Sequence, residues 1–187
     1  YKEFKKRFNN TVTDVAKPWL PALKSKISSP VLKEKEHLSN YRNEGISIPV
    51  GMIDIPEMQL QKTYTVNITN EGNLMYITSG GFGKSVFLTT VALSMALKYR
   101  VSEVNFFILD FGNNALISLS NLPHTAEYIS LDNVEHYNRF KSLMSDEIKK
   151  RKKIMAKEFA QNINIYNQTV DTPLTSWVVL VDNFDAV

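Results

Sequence analysis

Three of the chain's seven glycines, Gly80, Gly81 and Gly83, fall within four positions and stand directly before Lys84-Ser85. Ahead of them Leu74-Met75-Tyr76-Ile77 reads as a buried strand, and behind them an apolar helix is predicted as far as about Tyr99. The order strand, glycine loop, helix narrows the architectures open to the chain and points to a phosphate-cradling loop. Glycines let successive backbone N–H groups turn inward, and the helix N-terminus adds positive potential. The lysine then reaches the β/γ-phosphates and the hydroxyl binds Mg²⁺. The candidate nucleotide-binding residues are therefore Gly80, Gly81, Phe82, Gly83, Lys84 and Ser85, with Ser85 also a candidate ligand for Mg²⁺. The competing reading, an ordinary glycine-rich turn, is disfavoured by the flanking strand and helix. The chain departs from the G-x-x-x-x-G-K-[ST] pattern at its first position, where Thr78 puts a side chain into the tight exit from the strand. Phe82 adds a bulky ring before Gly83. Ancestry and activity are thus separate questions, and at the level of sequence the binding of ATP and Mg²⁺ stays open.

A second apolar strand, WVVLVD, ends in Asp182, the place for a carboxylate that helps to hold Mg²⁺ beside the phosphates. The next residue is Asn183, an amide that cannot accept a proton where a water-polarising Glu is usual, so hydrolysis is expected to be crippled and no catalytic residue is assigned. Asp185 could substitute in principle, but a solvated loop aspartate is the better reading. Asp110 ends the buried strand VNFFILDF (104 to 111). It either faces the crevice where α/β sheets bind ligands or caps the turn before Gly112. The basic run Lys149 to Lys153 reads as a solvated helix face rather than a nucleic-acid patch. His37, His124 and His136 lack ligand spacing.

Elsewhere, Phe4, Phe8, Val12 and Val15 predict an amphipathic helix over 2 to 16, followed by a loosely packed linker over 17 to 45. From Ile46 the pattern alternates, predicting a hairpin connected through Glu57 to Lys62. Residues 113 to 131 read as loop with a helical turn. Asp132 and Glu135 resemble a capping box for a helix to about Phe159, whose inward stripe would be Val134, Phe140, Leu143, Met144, Ile148 and Met155. A polar segment, 161 to 175, leads to the last strand. Strands alternating with helices predict an α/β fold with a parallel sheet. With 22 basic and 19 acidic residues the charge is +3, short of a nucleic-acid footprint. The lack of cysteine excludes disulfides, thiolate zinc sites and a cysteine nucleophile. No apolar run reaches the ~18 to 20 residues of a membrane helix. The opening YKEFKKRFNN has neither an initiator Met nor an apolar signal core, which suggests a piece of a longer polypeptide.

Taken in order, ITSGGFGKSV, VNFFILDF, the basic helix ending in KKRKKIMAK, and WVVLVDNFD resemble the FtsK/SpoIIIE ATPases. FILDFGNNAL is most similar to their type VII secretion branch, in particular to the C-terminal degenerate ATPase domain of its coupling proteins. The resemblance covers about residues 46 to 187 and implies a RecA-like P-loop core, parallel sheet flanked by helices, after an N-terminal helix and linker (1 to 45). It implies that Gly80, Gly81, Gly83, Lys84, Ser85 and Asp182 contact ATP and Mg²⁺, with Thr78 and Asn183 as departures. It further implies a cytoplasmic domain of a membrane-anchored bacterial protein, partnered by neighbouring ATPase domains of the same polypeptide and by small helical secreted substrates of Trp-x-Gly type, with an oligomer in the full-length protein. The alternatives are a working ATP-driven motor and a DNA translocase; near-balanced charge weighs against nucleic acid. In ATPases of this class a strand following Asp182 inserts between the two flanking strands, so part of the core is expected to lie beyond Val187 or to be supplied by another segment or chain.

Overall fold

The computed structural model describes Glu3, residues 19–28 and residues 40–186. Apart from Glu3, the helix predicted over 2–16 lies outside the described residues. The chain divides into two compact units, residues 1–27 with 51–64 and residues 28–50 with 65–187. Strands β1 (Ser47–Ile55) and β2 (Leu60–Asn67) form a two-stranded sheet, as the alternation predicts. Their connection is shorter than expected: a 3₁₀ turn at Pro56–Met58 and the left-handed Gln59, φ 47°, already complete it. Within the first unit Gln61 Nε2 donates to the Pro21 carbonyl at 2.7 Å.

The second unit is built on β3 (Val104–Asp110), β4 (Thr125–Ser130) and β5 (Ser176–Asp182), a parallel sheet in the order β4-β3-β5. Alternating side chains of the central strand leave on opposite faces, and both faces are covered, as parallel sheets require. Phe106, Ile108 and Leu180 pack with Val91, Ala92 and Met95 of the helix Lys84–Lys98. Phe107 and Leu109 pack with Phe140 of the helix Val134–Lys157, against Trp177 and Val181. Each such side chain, fully buried, contributes about 1.5–3 kcal/mol. In chain order the helices are α1 (Tyr41–Glu44), α2 (Ile68–Glu71), α3 (Lys84–Lys98), α4 (Val134–Lys157) and α5 (Ile163–Thr169).

Several expectations are corrected. Leu74–Ile77 forms no strand; these residues are exposed, Ile77 by 80%, and among the described residues they join no sheet. A strand needs a hydrogen-bonding neighbour to satisfy its backbone, and no described strand pairs with this segment. Residues 113–131 contain β4 as well as a 3₁₀ turn at Ile117–Asn121. The N-cap of α4 is Asn133, not Asp132: its side chain accepts from the His136 N–H at 3.2 Å. Phe140 of the predicted stripe is buried and Met144 packs behind it, but Val134, Leu143 and Ile148 are exposed. The segment 161–175 holds α5, capped by Asn162. Where a loose linker was expected, α1 is tightly held. The buried Tyr41 hydroxyl donates to the Leu174 carbonyl at 2.6 Å and lies 2.9 Å from Ser176 Oγ, while Arg42 donates to the Asp171 carbonyl.

Candidate functional site

All three strands of the larger sheet run the same way, so their C-terminal tips meet at one end, and the β3–β5 register sets Asp110 directly beside Asp182. The helix α3 begins at that end. Its N-cap, Gly83, is left-handed at φ 85°, as is Gly81 at φ 80°. That backbone is the reason for glycine at both positions, since a Cβ at either would meet open space. Gly80 has neither constraint. No side chain caps α3, so the first N–H groups of a 15-residue helix are left for an incoming group. Phe82 is 72% exposed, so its ring stands outside the loop; Thr78 is half-buried.

Ser85, in the first turn of α3, donates from Oγ to Asp182 Oδ2 at 2.7 Å. This contact joins the two motifs read from the sequence across ninety-seven positions of chain. Beside it opens a cleft of about 410 Å³, lined by Lys84, Ser85, Phe111, Gly112, Asn113, Asp182 and Asn183. Lys84 makes no ion pair among the described residues, which leaves its ammonium available to the cleft. A hydroxyl and a carboxylate oxygen within hydrogen-bonding distance, at the edge of an open cleft that water can fill, suit Mg²⁺, which takes few protein oxygens and keeps several waters. Ser85 and Asp182 are the residues that would hold it. Gly80, Gly81, Phe82 and Gly83 form the loop that leads into α3, outside the cleft lining itself.

Asn183 occupies the left-handed region at φ 60°, a conformation Asn tolerates better than most residues, and its Nδ2 donates to the Phe111 carbonyl at 3.4 Å. The Phe111 N–H in turn donates to the Asp182 carbonyl at 3.2 Å. The tips of β3 and β5 are thereby cross-linked, and the amide acts as a donor in this role. Asp185 lies in the 3₁₀ turn Phe184–Ala186, exposed and outside the cleft lining. Asp110 is fully buried and accepts from Leu116 N–H at 2.8 Å, the Tyr128 hydroxyl at 2.9 Å and Gly112 N–H at 3.3 Å, so of its two readings the turn-capping one describes its contacts. Burial first, then the hydrogen bond and negative charge of Asp110, hold the Tyr128 hydroxyl well above the usual phenol value, so it stays a donor.

Sequence reasoning missed the wall formed by Phe111, Gly112 and Asn113. The only signal was a Gly-Asn pair directly after a buried strand, which reads as any turn. The basic run splits as a helix must: the exposed Lys149 and Lys150 pair with the exposed Asp146 and the half-buried Glu147. Arg151 turns inward to Glu147 at 2.8 Å and the Thr175 carbonyl at 2.7 Å, its guanidinium 4.9 Å from the Trp177 ring. His124 is buried, with Nε2 2.9 Å from the Tyr99 carbonyl; His136 lies 3.9 Å from Glu127. His37 lies outside the described residues. Among the described residues no group of His, Asp and Glu could hold a metal by itself, and no helix is long and apolar enough to cross a membrane.

The family model described as FtsK/SpoIIIE family matches residues 29–182. The ESX secretion system protein EccC of Geobacillus thermodenitrificans (strain NG80-2) is 33% identical over 185 residues, 99% of this chain and 12% of that protein. The type VII secretion system protein EssC of Staphylococcus aureus (strain NCTC 8325 / PS 47) is 28% identical over 178 residues, 94% of this chain and again 12% of the relative. The chain thus spans about an eighth of the length of these relatives. Among solved structures, EssC (ATPases 2 and 3) from Geobacillus thermodenitrificans superposes with TM-score 0.78 at 33% identity, covering 90% of this chain and 31% of that one. Thermomonospora curvata EccC (ATPases 2 and 3) in complex with a signal sequence peptide reaches TM-score 0.70 at 22% identity, over 89% of this chain and 31% of that one, a likeness of fold alone.

Proposed function

Because the chain belongs to the FtsK/SpoIIIE family, we propose that its cleft binds ATP with Mg²⁺ while hydrolysing it weakly or not at all, and that it works in a type VII secretion coupling protein as a substrate-recognition or interdomain regulatory module. The observation that supports this reading is the 2.7 Å bond between Ser85 and Asp182, which brings two distant motifs to one cleft beside Lys84, a lysine with no ion pair among the described residues. When bound, Mg²⁺ would neutralise phosphate charge. Lys84 would attract the β/γ-phosphates, and the glycine loop with the α3 N-terminus would donate backbone N–H groups to them. Asn183 cannot take a proton from an attacking water, and its amide is engaged with Phe111. The likeness to EccC and EssC supports neighbouring ATPase domains and secreted proteins as partners, and a cytoplasmic domain of a membrane-anchored protein as the setting. The test is steady-state ATP turnover by this chain. The reading expects none above a Lys84→Ala control, and a robust rate that disappears in Lys84→Ala would refute it.

A further inference from the structure

The nucleotide reading leaves Asp110 without a part, although it is among the most buried ionisable groups of the chain. We propose that Asp110 is a positioning residue: it does not line the cleft, but it fixes the 111–116 turn, whose Gly112 and Asn113 do. The proposal rests on the nucleotide-binding reading.

Both carboxylate oxygens are engaged, and all three donors hold the same turn or its flank. Oδ1 accepts from Gly112 N–H at 3.3 Å, at the start of the turn. Oδ2 accepts from Leu116 N–H at 2.8 Å, at its end, and from the Tyr128 hydroxyl at 2.9 Å, which reaches over from β4. Leu116 itself is fully buried in the core, so the far end of the turn is anchored twice. Charge-assisted bonds of this kind are about twice as strong as neutral ones. Gly112 lies next to both carboxylates: a Cβ there would be in ordinary contact with Asp110 Oδ1 at 3.6 Å and Asp182 Oδ2 at 3.7 Å. A shift of Gly112 therefore moves the wall against the carboxylate assigned to Mg²⁺. A side chain that only capped a turn would affect folding alone, whereas one that aims the wall must change ligand affinity in a protein that is still folded.

Asp110→Asn separates the two roles. An amide keeps one acceptor, best spent on Leu116 N–H and the Tyr128 hydroxyl, so its NH₂ turns toward Gly112 N–H and two donors meet. The base of the turn is kept and its cleft end is released. Titration calorimetry with ATP and Mg²⁺ is expected to show affinity about ten-fold weaker in Asp110→Asn and about two- to three-fold weaker in Tyr128→Phe. Thermal midpoints should fall by no more than about 12 °C, so both variants stay folded for the titration. Amide exchange without ligand should quicken at Gly112 and Asn113 and stay slow at Leu116. Should Asp110→Asn fail to fold, Tyr128→Phe, which keeps the ring packing and removes the hydroxyl's contacts with Asp110 at 2.9 Å and with Asn114 of the same turn at 3.2 Å, carries the test alone. Unchanged affinity in the folded variants overturns the proposal. A wild-type chain that binds no nucleotide refutes the underlying reading and the proposal with it, a result distinct from binding that the variants leave unaltered.

Discussion

Restoring the acid at position 183 should damage the protein rather than revive it. Asn183 sits at φ 60° and donates to the Phe111 carbonyl at 3.4 Å, two features that Glu cannot share. Left-handed backbone costs an ordinary L-residue about 1–2 kcal/mol, of which Asn escapes a part. The lost bond is long and belongs at the low end of the range of about 0.5–1.5 kcal/mol. Together Asn183→Glu should cost roughly 1–2 kcal/mol, or about 2–8 °C in thermal midpoint for a chain of this size. Asn183→Gly loses the bond without adding strain and should cost less, about 0.5–1 kcal/mol. Urea denaturation of the three proteins gives the differences, and an ATP turnover assay on the same samples gives the functional side. If Asn183→Glu matched the wild type in stability, the clasp between the strand tips would have no energetic content. If it gained turnover dependent on Lys84, position 183 would be a lost catalytic acid with no structural duty.

Phe106, fully buried on the central strand, should cost about 3–5 kcal/mol as Phe106→Ala in urea denaturation. The Glu147 carboxyl is held below its usual value, first by its hydrogen bond to Arg151. Its contribution is thus present above the unfolded pKa and lost as pH falls through the folded one, and in Arg151→Met this acid-side loss of stability should flatten when stability is measured against pH. Binding to duplex DNA should be weak and lack a steep salt slope in a titration at several salt concentrations.

What could be read in advance followed from how strongly local pattern determined each element. β3 announces itself as an apolar run because both of its faces are buried, β5 as WVVLV although Val179 is exposed, and α3 as the apolar stretch after a glycine loop. β4 stayed hidden: TAEYIS carries Glu127, and its pairing with β3 is set by tertiary contact. α5 is polar, INIYNQT, and owes its place to the Asn162 cap and to buried Asn167, which donates to Tyr41 and Leu174 and accepts from Leu174 N–H. Leu74–Ile77 shows the opposite error, apolar residues of strand character without a strand to pair with. At the site, residue types named Lys84, Ser85 and Asp182 as candidates. Only the folded chain shows Ser85 touching Asp182, the Phe111–Asn113 wall and the donor role of Asn183, because each depends on which strand tips lie side by side.

Calorimetric titration of ATP with Mg²⁺ into the wild type and Lys84→Ala decides whether a nucleotide binds where the α3 N-terminus meets the tip of β5. Single-site binding is expected for the wild type, and Lys84→Ala should abolish it or weaken it at least ~100-fold, as loss of a charge-assisted contact to phosphate should. No heat of binding with the wild type, or equal affinity in both proteins, would contradict it.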